Sequence, residues 1–390
     1  MSTWFSAAAV APSLTRDWHL SVQELALLTV AVQLGFVAGG LSFAISGIAD
    51  VLATRRVFVA SALAAAAFNA LFVLIPANLA LAVGVRFGLG FCLAGVYPVG
   101  MKMIAGWFKR QRGLAIDTLV GALTLGAALP HAIAAAGQGS SLPWQIVLTT
   151  TSIGAVLSAI IVHVAVRSGP FEAKSPRLDL GSALRSLRDP AVRLANFGYF
   201  GHMWELYAMW TWVPIFLLAS FRAWPLGASS WPVAQSASLA AALVIGIGAV
   251  SCVGAGLLAD RLGRTTTTAV AMIVSGASAL ATGLLFGHTP LLVAAVATIW
   301  DVAVIADSAQ FSTAISELVE PERVGSALAL QTALGFLLTA ASIQLLPPVQ
   351  AIAGWALAFT VLAVGPAFGT LAMLRLRLRP EAFKLANGHR

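Results

Sequence analysis

Apolar stretches of about 20 residues recur along this chain with scarcely a charge inside them, and that spacing is the tightest constraint on its fold. About 20 such residues make a helix long enough to cross the hydrocarbon core of a bilayer. Inside lipid every backbone N–H and C=O must be satisfied within the protein, so such a stretch is expected to be helical. The composition agrees. Of 390 residues, 59% are hydrophobic and only 10% charged, whereas a soluble domain carries roughly 25% charged residues. So little charge cannot cover a surface in water. The net charge of +8 therefore does not point to nucleic acid, and the expected partner is the lipid bilayer around a multi-pass, all-α membrane protein.

The apolar runs place helices near 1–14, 22–49, 57–76, 79–108, 113–136 and 144–166, and again near 194–221, 236–259, 269–287, 291–318, 325–348 and 354–376. Between the two sets lies the polar segment "RSGPFEAKSPRLDLGSALRSLRDPAVR". This predicts twelve transmembrane helices in two bundles, 1–166 and 194–376, with a linker at 167–193 and a tail at 377–390. Lysine and arginine mark alternate loops: six fall in the linker, and Arg375, Arg377, Arg379, Lys384 and Arg390 close the chain, while the opposite loops hold only Arg16 and Arg222. The positive-inside bias then puts both termini and the linker in the cytoplasm, as expected for a bacterial inner membrane protein that works as a monomer. No basic leader precedes the first apolar segment. Cys92 and Cys252 lie within apolar runs without metal-ligand neighbours and read as packing residues. No metal or cofactor is expected.

The two sets of helices also repeat. "GIADVLATRR", with Asp50, Arg55 and Arg56, occupies the place that "GLLADRLGR", with Asp260, Arg261, Gly263 and Arg264, takes in the second half. "RDW" at 16–18 likewise matches "RAW" at 222–224. That last alignment sets Met1 opposite Tyr207, so the first helix reads as truncated, with an upstream segment expected before it. A unit of six helices used twice in parallel is a transporter architecture, its solute site near the midplane between the halves.

"GLLADRLGR" resembles the loop signature of the major facilitator superfamily, and the likeness extends over helix count, linker and repeat. It implies a secondary transporter that works by alternating access. The loop suits a conformational latch: Gly263 gives backbone freedom, and Asp260 can accept from an arginine or a helix N-terminus, in contacts made in one conformer and broken in the other. In the first copy Val51 and Ala53 stand where the signature has arginine and glycine. "GWFKRQRG" and the glycine-rich run after it are similar to the nitrate/nitrite and cyanate branches. The nitrate-binding arginines of helices two and eight have no counterpart here, which argues against nitrate.

Intramembrane charges are costly and mark function. Arg86 lies deep in the fourth helix, and the resemblance implies a part in coupling for an arginine followed by small residues there. Asp301 and Asp307 lie in the tenth helix, the repeat partner of the fourth, so an Arg86–Asp301 pair across the halves is one expectation. Six residues apart, the two aspartates face different ways. His202 and Glu205 share a face of the seventh helix and suit a proton relay; Trp204, Tyr207, Trp210 and Trp212 around them suit a cavity wall, an interfacial belt or lipid packing. His131, beside Pro130, could line the cavity from the fifth helix. Asp117 is expected to pair with Lys102 or the basic loop.

No metalloprotease or P-loop signature occurs, and "GASS" at 227–230 and "GASA" at 276–279 are cheap matches to a protease Gly-x-Ser. The chain does not read as an enzyme. The reading favoured is a proton-coupled secondary transporter of a small organic solute, with an anion drawn to Arg86 as one case. Its alternatives are an efflux antiporter for apolar compounds and a non-transporting sensor or assembly factor.

Overall fold

The structure is a computed structural model. It describes residues 1–390 apart from 49–51, 109–111, 140–142, 168, 172–178, 226–231 and 390, and at 112, 113, 138, 139, 321, 322 and 387 the backbone alone. Asp50 and the 227–230 stretch lie outside the described residues. Every regular element among the described residues is helical. Among the described residues ten helices are long and apolar enough to cross a membrane, against the twelve expected.

The chain start departs from the single helix expected over 1–14. Two short helices, α1 (Ser6–Ala9) and α2 (Ala11–Trp18), follow a non-helical stretch. α2 ends at His19 in the left-handed conformation, φ 55°. α3 (Val22–Ser46) then opens on a capping box, in which Ser21 Oγ accepts from the Glu24 amide and Glu24 accepts from the Ser21 amide. These reciprocal bonds satisfy two donors that a helix start leaves open. α4 (Thr54–Leu74) comes next. α5 (Leu79–Leu93), capped by Asn78, and α6 (Tyr97–Ala105) together make one span with a break at 94–96. α7 (Arg112–Gly139) runs through Pro130, and α8 (Gln145–Ala165) closes the first half.

Among the described linker residues α9 (Leu180–Ser186) is regular. α10 (Pro190–Ala223) starts with Asp189 capping its first turn and Pro190 at the first helical position, where its missing N–H costs nothing. α11 (Val233–Leu262) and α12 (Arg264–Leu284) meet at Gly263, whose φ of 94° favours a residue without a Cβ. α13 (Pro290–Ala306) and α14 (Ser308–Leu318) form one span broken at Asp307. α15 (Pro321–Arg377) contains a non-helical Gly354, φ 75°, which divides it into two stretches close to the expected pair 325–348 and 354–376. The tail expected at 377–390 folds back as a 3-10 helix, Pro380–Gly388, with Ala382 and Leu385 fully buried.

Packing runs on small residues, as expected where helices gain from close approach rather than from escaping water. Gly35 and Gly39 of α3 sit against Phe87 and Phe91 of α5, and Gly201 of α10 lies against Gly365 and Gly369 of α15. One seam joins the first half to the second: α7 runs antiparallel to α11, with Gly121 against Ala249, Thr124 against Gly248 and Asp117 against Gly256. Phe36 of α3 and Phe336 of α15, ring centroids 4.6 Å apart, mark a second. Leu74, Val164, Val250, Leu291, Ile352 and Val364 are exposed, the apolar exterior a bilayer requires.

Candidate functional site

In the first half, α5 carries Arg86 into the interior, where it is 1% exposed. Its guanidinium finds no carboxylate among the described residues. Nη2 donates to the Trp4 carbonyl at 2.6 Å, and Nη1 donates to the Thr3 carbonyl (3.3 Å), Ser6 Oγ (3.2 Å) and Asn69 Oδ1 (3.3 Å). The ring of Phe72 lies 5.8 Å from the guanidinium carbon. Asn69 of α4 holds this cluster to α8, donating to the Leu148 carbonyl and to Thr151 and Ser152. The carbonyls of Thr3 and Trp4 are available because the chain there is not helical. The buried cation is thus held by neutral acceptors only.

In the second half the acids gather between α10, α12 and α13. Glu205 accepts from the Trp300 indole at 2.7 Å and from Ser275 Oγ at 2.9 Å. Asp301 Oδ1 accepts from the Trp210 indole at 2.7 Å. Asp307, at the break between α13 and α14, lies 2.7 Å from His202 Nδ1 with both side chains 1% exposed. Two expectations are corrected here. His202 and Glu205 do share a face of α10, but they reach different partners: His202 meets Asp307, and Glu205 meets α12 and α13. Arg86 and Asp301 do not pair, because each turns to the first membrane segment of its own half. The two aspartates do face different ways, and both are buried.

His131 is buried on α7, its Nε2 without a partner among the described residues. Asp117 sits against Gly256 of α11, within electrostatic reach of Arg264 and Asp260, rather than beside Lys102. The four aromatic residues of α10 do not form one wall. Trp204 and Trp212 donate to carbonyls of α15, at Val361 (2.9 Å) and Ile343 (3.1 Å). Tyr207 and Trp210 instead join rings of the first half: Trp4 meets Tyr207 and Phe336 at 5.7 and 5.6 Å, and Phe5 meets Trp210 at 5.6 Å.

At the end of α11 the loop residues divide. Arg264 is the centre, paired with Asp260 at 2.9 Å and Glu317 at 3.1 Å and donating to Gln310 Oε1 at 2.8 Å. Glu317 also accepts from the Ala386 amide of the folded-back tail. Gly263 is buried, whereas Asp260 and Arg261 are exposed. In the first half Arg55 donates to the His163 carbonyl of α8 at 3.2 Å and Arg56 is exposed. Sequence reasoning missed Ser6, Asn69, Ser275, Gln310 and Glu317. The available signal was a polar side chain in an otherwise apolar helix, which is cheap for serine and sharp for Asn69.

A stretch of this chain is 26% identical over 193 residues to a protein of Aspergillus flavus named MFS transporter asaE, covering 48% of this chain and 40% of that relative. The chain thus spans less than half the length of that relative. The family model described as Major Facilitator Superfamily matches residues 1–343. With buried charges distributed over many apolar spans and a match across most of its length, the chain belongs to the Major Facilitator Superfamily of membrane transporters.

Proposed function

We propose that this protein is a secondary active transporter of a small organic anion, coupled to protons and working by alternating access between two six-helix bundles, 1–166 and 194–376. The observation that supports it best is Arg86, a buried cation held by carbonyl, hydroxyl and amide oxygens and, among the described residues, by no carboxylate. Desolvating a charge without a counter-ion costs several kcal/mol. An anionic solute would supply the missing charge on arrival, which offsets part of that cost and favours anions over neutral solutes. The second half supplies carboxyls suited to carry protons: Glu205 meets only neutral donors, and Asp307 faces an imidazole. Cation on one side and acids on the other suit an anion moving with protons.

The ring cluster at the seam favours a second reading, export of apolar compounds. An unpaired Arg86 repels cationic drugs, which narrows that reading to neutral or anionic compounds. The loop charges put both termini and the linker on the cytoplasmic side. Proteoliposomes with an imposed proton gradient test the proposal. Uptake of a small organic anion, driven by an inward proton gradient and lost in Arg86→Gln protein of normal thermal stability, supports it. Flux indifferent to the proton gradient would remove the coupling, and flux unchanged by Arg86→Gln would remove the anion.

A further inference from the structure

The surroundings of Trp4 join a place for a charge to a place for a ring. Trp4 is 2% exposed, and its carbonyl takes the shortest bond that Arg86 makes, 2.6 Å. Its indole ring packs at a tilt against Phe36 of α3 (5.0 Å), Tyr207 of α10 (5.7 Å) and Phe336 of α15 (5.6 Å). The head and the rings are therefore one residue apart.

Several buried donors here also lack acceptors. Among the described residues, Arg86 Nε, Trp4 Nε1 and both ends of the Gln33 amide have no hydrogen-bond partner, and Thr3 Oγ1 has none either. Gln33 is fully buried and lies one helical turn before Phe36, on the face that meets Trp4. An unsatisfied buried N–H is costly, so Arg86 Nε, Trp4 Nε1 and the amino end of Gln33 favour a ligand that brings oxygen acceptors. Arg86 adds the preference for a planar oxyanion, which its fork can hold through two parallel bonds.

The rings contribute the second half of the site. Phe36 with Phe336, and Trp4 with Tyr207 and Phe336, pair the first half of the chain with the second. Alternating access must part these pairs. Each parted ring leaves an apolar face, and a flat aromatic solute between the halves restores the offset and edge contacts that aromatic rings prefer. An aliphatic solute of the same charge does not.

Resting on the anion reading above, we infer that the solute is an aromatic monocarboxylate. Its carboxylate is held by Arg86 with Trp4 Nε1 and Gln33, and its ring lies among Trp4, Phe36, Tyr207 and Phe336. The inference concerns substrate class and is independent of transport direction.

Benzoate, benzamide and acetate separate its parts, since benzamide keeps the ring without the charge and acetate the charge without the ring. Binding to the purified protein is followed by thermal shift and titration calorimetry, and flux of labelled benzoate in proteoliposomes. Benzoate is expected to bind at least about tenfold more tightly than either analogue, the scale on which a site built around both features discriminates. Arg86→Lys should lose benzoate affinity while keeping the unliganded melting temperature. Phe336→Leu, which keeps an apolar side chain, should lower benzoate affinity and leave acetate unchanged. Equal binding of benzamide and benzoate would overturn the carboxylate head. Equal binding of acetate and benzoate, both lost in Arg86→Lys, would overturn the ring while leaving the anion transporter intact. No binding or flux of benzoate would overturn the inference, and the anion reading would then stand or fall on acetate and other aliphatic anions.

Discussion

Gly121→Ala is a minimal perturbation of the seam between α7 and α11. A Cβ on Gly121 would meet the Ala249 carbonyl oxygen at 2.9 Å, a backbone atom that cannot swing aside as a side chain does. Overpacking of this kind costs about 1–3 kcal/mol. Alanine also favours the helix over glycine by about 0.5–1 kcal/mol, but α7 is helical whether the seam is closed or parted. That gain cancels in the conformational equilibrium, and the clash counts only against the closed seam. The full 1–3 kcal/mol therefore weighs on the equilibrium, roughly 5–150-fold toward parted conformers. Cys252 is a built-in reporter. It lies one turn from both Gly248 and Gly256 on the α11 face that meets α7, and it is 1% exposed. With Cys92 replaced by serine, the rate of maleimide labelling at Cys252 should rise in Gly121→Ala protein by a factor in that range. Gly254→Ala is the control, because a Cβ there meets nothing within 4 Å. Equal labelling rates in Gly121→Ala, Gly254→Ala and the parent would refute the seam as a moving contact.

Three further outcomes follow from the same geometry. In thermal unfolding Arg264→Gln should cost most, about 3 kcal/mol, because its side chain is 10% exposed and its loss takes the cation from Glu317 and a donor from Gln310; Asp260→Asn, with a side chain 65% exposed, should cost under about 1 kcal/mol, and the reverse order would sink the assignment of Arg264 as the centre. A double-mutant cycle of Arg86→Gln with Asp301→Asn should be additive to within about 0.5 kcal/mol, since the two residues share no partner; a coupling well above that would restore the direct pair. His202→Gln should weaken uptake driven by an imposed proton gradient, because it removes the imidazole that lies 2.7 Å from Asp307 beside the Tyr199 ring, and unchanged uptake would move the proton route to Glu205.

What was legible in the sequence follows from how far each signal acts. Apolar length sets spans through a one-dimensional rule, so the helices came out within a few residues, and Gly263 at a tight connection was readable because only its own backbone is involved. The first segment was misread because its apolar composition hides the break before Ser6, which depends on Arg86 and its carbonyl partners some eighty residues away. Arg86, Asp301, Asp307, His202 and Glu205 stood out as charges in apolar helices, and all five are buried. Their partners did not. Helical periodicity puts His202 and Glu205 on one face, but which neighbour each reaches depends on the rotation of α12, α13 and α14 around α10. Glu317 could be read only as a residue near a helix end, although it receives both Arg264 and the folded-back tail.

The failed Arg86–Asp301 pair exposes a rule of the repeat. The offset that carries Trp18 onto Trp224 also carries Trp4 onto Trp210. In the first half the fourth span presents Arg86 to the carbonyl of Trp4, and in the second half its counterpart presents Asp301 to the indole N–H of Trp210. Two halves built alike turn the charges on their repeat-related spans toward the first segment of their own half, so charges of opposite sign on those spans have no geometric reason to meet. The equivalence has a further consequence. Each tryptophan offers the neighbouring charge the polar group of matching sign, a carbonyl for the cation and an N–H for the carboxylate, while its ring enters the aromatic seam. A change of charge at Arg86 or Asp301 would thereby be felt at the contacts that the proposed alternating access has to break. On the proposed anion reading, a solute that draws Arg86 away from the Trp4 carbonyl would loosen the ring packed between the first half and the second. Binding and opening then share one residue, which is the kind of differential contact that a ligand needs in order to shift a conformational equilibrium.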